Sequence, residues 1–190
     1  MADGLFAIRK LVYEERKVSM EELKEALAWN YDKGLDVQSA SDMTEMIMKA
    51  MQKAGREVDA STAEGLLKTF IGMKPGEQKT QRFKEIHDMI DEVPKYGNDI
   101  PEVDYFAREV AYTYSKPLQN YHNPRGGQFQ AGLYPVSANV PLGGQTGATP
   151  DGRQAGTPFA PGANPMHNRE ENGALASLNS VAKLSYVDCR

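Results

Sequence analysis

The chain has 190 residues, 40% of them hydrophobic and 25% charged, and its 22 basic against 26 acidic side chains leave a formal charge of −4. No run approaches the roughly 20 apolar residues of a membrane span, and Met1-Ala2-Asp3-Gly4 does not open a basic-then-apolar leader. The acidic balance argues against a broad nucleic-acid surface, while Cys189, the single cysteine, excludes an internal disulfide framework, a zinc ribbon and a CxxC pair and fits a reducing cytoplasm.

Residues 1–122 read as punctuated helices. Phe6, Ile8, Leu11 and Val12 predict a first helix over about residues 5–15. Ser19 and Glu22 form a capping box, hydroxyl to amide and carboxylate back, ahead of the apolar stripe Leu23, Ala26 and Leu27. Met43, Met46, Ile47, Ala50, Met51 and Ala54 recur at helical spacing from Asp42, and Gly55 is a fitting stop. Ser61 and Glu64 suggest a second capping box before Leu66, Leu67, Phe70 and Ile71, with Gly72 at the end. A fifth helix over residues 81–92 carries Phe83, Ile86, Met89 and Ile90 and closes at Pro94. The sixth spans residues 103–114 and stops before Pro117.

Residues 123–190 form a second region. Between 123 and 173 there are ten glycines and seven prolines, a third of the segment. At that density no helix is expected, because each proline removes a donor and each glycine raises the entropy cost of order. Strands are predicted over residues 132–140 and 174–184, and Thr149-Pro150-Asp151-Gly152 fits a turn. A long loop of mixed composition serves a site or packs inside something larger. Only five basic and four acidic residues lie beyond 122, so the helical front, with 17 basic and 22 acidic, holds most of the charge.

Few motifs carry chemistry of their own. Gly143-Gly144-Gln145-Thr146-Gly147 lacks the lysine and hydroxyl ending of a phosphate loop, and Pro150 stands where its helix would start. His87, His122 and His167 are scattered without metal spacing, and His87 reads as a helix-surface residue. The stripe Met43, Met46, Met48 and Met51 reads as helix packing. Cys189 has Asp188 opposing and Arg190 favouring its thiolate, with no histidine close in sequence, and reads as incidental.

Pro94-Lys-Tyr-Gly-Asn-Asp99, Asn123-Pro-Arg-Gly-Gly-Gln128, Gly132-Leu-Tyr-Pro-Val-Ser-Ala-Asn-Val140, Thr146-Gly-Ala-Thr-Pro-Asp-Gly-Arg153, Pro161-Gly-Ala-Asn-Pro-Met-His167 and Leu178-Asn-Ser-Val-Ala-Lys-Leu184 occur in one order. Together they resemble the glycyl radical enzyme family, densely over residues 94–190 and more loosely over 5–30. Residues 161–167 and 176–184 resemble the pyruvate formate-lyase branch; residues 123–127 and 133–139 are more similar to the dehydratase and choline-lyase branch. Residues 31–80 form a longer helical stretch than either branch leads one to expect and read as a candidate insertion.

The resemblance implies an α/β fold: part of a ten-stranded barrel in which a cysteine finger and a glycine finger meet. The family's radical is stored on the glycine, moves to the cysteine and then attacks or abstracts hydrogen from the substrate. It is installed by an S-adenosylmethionine/iron–sulfur activating enzyme, and the full-length enzyme is a homodimer. The cysteine finger lies upstream of these motifs in the family and the glycine motif beyond Arg190, so an internal, catalytically incomplete portion is expected. Such a portion holds no cofactor or metal itself and takes the remaining segments of the parent as partners, without nucleic acid or membrane. The parent reaction would be formate C-acetyltransferase-like C–C cleavage, or elimination from a diol or amino alcohol. An accessory module and a piece completing an enzyme in trans are the rival readings. Tyr134, Val136 and Ser137 are the expected substrate-wall residues. Gly147, Pro150, Asp151 and Arg153 are placed in a loop at the barrel mouth, where Arg153 holds the loop through a carboxylate or peptide carbonyl.

Overall fold

The structure is a computed structural model that describes residues 1–35, 37–55, 59–70, 73, 75–133 and 137–184. Eight α-helices are defined among them: α1 (Ala2–Ile8), α2 (Met20–Ala28), α3 (Val37–Lys53), α4 (Ala60–Phe70), α5 (Glu77–Glu92), α6 (Pro101–Leu118), α7 (Asn139–Gly144) and α8 (Gly173–Ala182). α1 runs directly into a π-helical segment, Arg9–Glu14, in which Glu15 N–H reaches back to the Lys10 carbonyl at 2.8 Å.

The core lies where α1, the π segment, α2, α5 and α6 meet. Phe6, Ala7 and Leu11, Leu23 and Ala26, Phe83, Ile86 and Ile90, and Val103 and Ala107 are buried together. Apart from the adjacent Phe6 and Ala7, each set repeats at three- or four-residue spacing, which puts one apolar stripe of every helix inward. Phe6 and Phe106 seal the α1–α6 contact edge to face at 5.5 Å. The Ser19 capping box forms as the sequence predicts: Ser19 Oγ accepts from Glu22 N–H at 3.1 Å, and Glu22 Oε2 accepts from Ser19 N–H at 2.9 Å. α3 and α4 fold back on one another as a hairpin, and its stem is marked by Leu35 N–H donating to the Met73 carbonyl at 3.0 Å.

Five expectations are corrected. Residues 174–184 are no strand: Gly173–Ala182 is helical, with Ala176, Ser180 and Leu184 buried at four-residue spacing and Leu175 and Leu178 exposed. An alanine- and leucine-rich run of this length favours helix over strand. The predicted strand 132–140 also fails in its described part, since Ser137 and Ala138 form a turn and Asn139 begins α7; no strand occurs among the described residues, where His122 and Gln128 make one isolated bridge. α7 survives the glycine- and proline-rich stretch because Pro141 sits in its first turn, where N–H groups have no intrahelical acceptor to lose. α6 continues one residue past Pro117. The cap of α4 is Asp59, whose Oδ1 accepts from Thr62 N–H at 2.8 Å, while Glu64 pairs instead with Lys68 at 2.6 Å.

Candidate functional site

The long loop after α7 is fastened to the helical body at three points. The first is a turn. Gly152 N–H donates to the Thr149 carbonyl at 3.1 Å, and Gly152 adopts φ +91°, as the Thr-Pro-Asp-Gly sequence predicts for a tight turn. Asp151 Oδ1 accepts from the Thr149 hydroxyl at 2.5 Å and from Arg153 N–H at 3.3 Å. Pro150 rests against α1, where an added Cβ on Gly4 would sit 3.7 Å from the proline ring.

Arg153 is buried at 3% exposure. Its guanidinium donates to the carbonyls of Thr157 (2.6 Å), Gln154 (3.1 Å), Thr146 (3.3 Å), Gly143 (3.5 Å) and Gly147, while Nε donates to the Thr149 hydroxyl at 3.1 Å. Phe159 covers the cation, 4.5 Å from Cζ to the ring centroid. A planar fork with five donors can gather carbonyls from both arms of a loop in this way; a lysine cannot. Residues 143–147 therefore turn carbonyl oxygens inward, the opposite of the N–H cradle an anion requires.

The second fastening comes from α2 and α5. Asn30 and Tyr31 both adopt left-handed φ (+50° and +58°), a conformation that costs a side-chain-bearing residue about 1–2 kcal/mol. Asn30 Oδ1 accepts from Ala155 N–H at 2.8 Å, and the Tyr31 hydroxyl donates to the Thr149 carbonyl at 2.8 Å. Tyr31 is fully buried, and burial, with Asp151 adding to it, pushes its phenol well above the ordinary range, so it stays protonated as a donor. His87 stands edge-on to the Tyr31 ring at 4.5 Å and donates Nε2–H to the Gly152 carbonyl at 2.9 Å. The expectation of a surface histidine is thereby corrected: the ring is 19% exposed and wedged between α5 and the turn. Arg169 ties the loop to Asp91, one turn further along α5, at 2.7 Å.

The third fastening is the Pro94–Asp99 motif. Lys95 is buried and its ammonium donates to the carbonyls of Val93 (2.7 Å) and Ile90, closing the C-terminus of α5; burial lowers its pKa, with Arg169 pushing the same way. Tyr96 N–H donates to Asp3 Oδ1 at 2.8 Å and the Tyr96 hydroxyl to the Ala163 carbonyl at 3.1 Å. Gly97, at φ +104°, lies where an added Cβ would be 2.5 Å from Pro165. Asn98 accepts from Glu171 N–H (2.7 Å) and Asn172 N–H (3.1 Å) and donates to the carbonyls of Arg169 (2.8 Å) and Lys95 (3.2 Å), which uses its amide completely. Beyond it, Lys183, the residue that follows α8, bridges Asp99 (2.5 Å) and the buried Asp104 (2.8 Å).

A cavity of about 300 Å³ opens beside this hub, between the start of α1, the Ala107–Ala111 face of α6, Leu133 and the Ala160–Met166 stretch. Asp3, at its edge, has its pKa raised by burial against the lowering effect of the Tyr96 amide. No cluster of metal-ligating side chains occurs among the described residues.

Of the residues singled out in the sequence, Gly147, Pro150, Asp151 and Arg153 come together in one bonded turn. Ser137 lies apart from them, exposed in the turn before α7, and Tyr134, Val136 and Cys189 fall outside the described residues. Sequence reasoning missed Asn30, Tyr31, His87 and Asn98. Two signals were available: Asn98 lies inside the Pro94–Asp99 motif, and Asn30 stands just past the end of α2, where asparagine is a recognised left-handed cap; nothing local marks Tyr31 as left-handed.

The pyruvate formate lyase-like family profile matches residues 1–143, and the chain belongs to that family of glycyl radical enzymes. Formate acetyltransferase 1 of Escherichia coli is 46% identical over 96 residues, covering 50% of this chain and 13% of that protein. A solved structure concerned with 1,2-propanediol dehydration in Roseburia inulinivorans is 52% identical with a TM-score of 0.87, over 98% of this chain and 22% of that one. The glycerol-bound glycerol dehydratase of Clostridium butyricum is 34% identical with a TM-score of 0.66, over 97% of this chain and 17% of its own. The chain thus spans about a fifth or less of the length of these relatives. Among the described residues no helix is long and apolar enough to cross a membrane.

Proposed function

We propose that this chain is a scaffold segment of a glycyl radical enzyme that dehydrates a small vicinal diol, releasing water and an aldehyde. One observation carries the reading: the 52% identity to the Roseburia inulinivorans structure runs through 98% of the chain, hairpin and loop alike. A formate acetyltransferase-like reaction, in which pyruvate and coenzyme A give acetyl-CoA and formate, is the second reading, favoured by the 46% identity over half of the chain.

In this proposal the thiyl cysteine and the radical glycine lie in other segments of a ten-stranded barrel, and the radical is installed by a separate S-adenosylmethionine/iron–sulfur enzyme. This chain holds no cofactor. Residues 1–122 are its helical wall, with 31–80 as an insertion, and 123–190 its barrel segment. Tyr134, Val136 and Ser137 line the substrate wall, while Gly147, Pro150, Asp151 and Arg153 form the loop at the barrel mouth. The parent is a cytoplasmic homodimer. The chain's share of the chemistry is to hold the loop rigid and exclude water around the reacting groups, which the buried Arg153 and the Asn30–Tyr31 grip favour. The test is anaerobic activation of the full-length enzyme followed by separate supply of 1,2-propanediol, glycerol, and pyruvate with coenzyme A. Aldehyde from a diol is the expected product; acetyl-CoA and formate would replace this reading with the second.

A further inference from the structure

Between α2 and α3 the chain uses three left-handed residues in a row of five: Asn30, Tyr31 and Gly34. The windings are closed by Tyr31 N–H on the Ala26 carbonyl at 2.7 Å and Gly34 N–H on the Trp29 carbonyl at 3.1 Å. Leu35, the next residue, is buried, and its N–H meets the Met73 carbonyl at 3.0 Å, which is the stem of the α3–α4 hairpin. The connector from helical body to hairpin is therefore made of the same residues that hold the loop. Asn30 Oδ1 takes the Ala155 amide and the Tyr31 hydroxyl the Thr149 carbonyl, across 125 and 118 residues of sequence.

We propose that Asn30 and Tyr31 are positioning residues for the loop from Thr149 to Ala155, and that the α3–α4 hairpin sets their conformation through the Leu35–Met73 stem. Left-handed backbone at two adjacent residues with side chains persists only where the surroundings over-determine it. Beyond the local capping bonds to Ala26 and Leu27, one constraint comes from the stem and the other from the loop, with Tyr31 packed against His87 between them. Relaxing either constraint must loosen the other, because coupling between two sites is reciprocal. The hairpin is then a handle on the loop, whatever substrate the parent enzyme takes.

The test is residue-resolved amide exchange on the 190-residue chain. In one variant, residues 36–72 are replaced by two glycines, a closure the 3.0 Å stem permits. The Ala155 amide is expected to exchange about fivefold faster or more, as when one hydrogen bond is lost, while the Ile90 amide within α5 keeps its protection. An unchanged Ala155 rate, or an equal rise at Ile90, overturns the proposal. Variants of the intact chain decide the matter even if the shortened one does not fold. Tyr31→Phe removes only the hydroxyl on Thr149, yet it is expected to speed exchange of the stem amide of Leu35. Asn30→Ala is expected to expose Ala155, and Asn30→Asp, which keeps an acceptor oxygen and tolerates left-handed φ, to restore it. A Leu35 amide indifferent to Tyr31→Phe would overturn the coupling.

Discussion

Replacing Gly152 by alanine places two separable costs on the turn that packs against α5. The backbone cost arises because φ is +91°, where a Cβ disfavours the conformation by about 1 kcal/mol. The crowding cost arises because that Cβ would lie 2.6 Å from Asp91 Oδ1, 2.9 Å from Arg169 Nη2 and 3.5 Å from Ile90 Cγ2. The two charged ends can swing aside, but the Asp91–Arg169 pair is then lost, a partly exposed contact worth about 0.5–1 kcal/mol. Displacing the Gly152 carbonyl from His87 removes about 1 kcal/mol more. The total is about 2.5–3 kcal/mol. Gly156, in the same loop at φ +77°, has nothing within 4 Å of an added Cβ, so Gly156→Ala isolates the backbone cost at about 1 kcal/mol. Urea unfolding of both variants, followed by Trp29 fluorescence and far-UV dichroism, reads the difference from the midpoints. Equal destabilisation by the two substitutions would refute the packing of the turn on Asp91 and Arg169.

Further outcomes follow from the same contacts. Arg153→Lys is expected to destabilise by about 2 kcal/mol or more in the same melts, since three ammonium donors cannot serve the carbonyls the guanidinium reaches. Ser19→Ala, which opens the capping box of α2, is expected to cost about 1 kcal/mol. Asp3→Asn carries a pH signature. A carboxyl with a raised folded pKa favours the native state fully below its ordinary value near 3.8, and that contribution is lost as pH rises through the folded value. The asparagine oxygen still accepts from Tyr96 N–H, so the variant is expected to gain on the parent chain between acidic and neutral pH. Melts at pH 3.5 and 7 that show the same difference would contradict the burial of Asp3.

What could be read from sequence was what is set locally. The Ser19–Glu22 box and the Thr149–Gly152 turn form as expected because their partners lie within three residues of one another. The helical faces of α5 and α2 were legible because the apolar period survives in Phe83, Ile86 and Ile90 and in Leu23 and Ala26. α8 was misread because a run of small apolar residues fits either periodicity, and its burial pattern is decided by α6 across the fold. The grip of Tyr31 had no local signal, and that of Asn30 only the weak one of an asparagine just past a helix end. A left-handed tyrosine is unfavourable in isolation and is selected here by contacts more than a hundred residues away. His87 was misjudged for the same reason, as its wedge position exists only once the loop has docked.

The most direct measurement exchanges segments. This chain is substituted for the matching stretch of the Roseburia inulinivorans protein solved for 1,2-propanediol dehydration, and aldehyde release is assayed after anaerobic activation. The account predicts a folded chimera that still dehydrates 1,2-propanediol within about tenfold of its host, a change of no more than about 1.4 kcal/mol in the barrier. A chimera that folds and acquires its radical yet releases no aldehyde would contradict the claim that these residues are the scaffold of a diol-dehydrating radical enzyme.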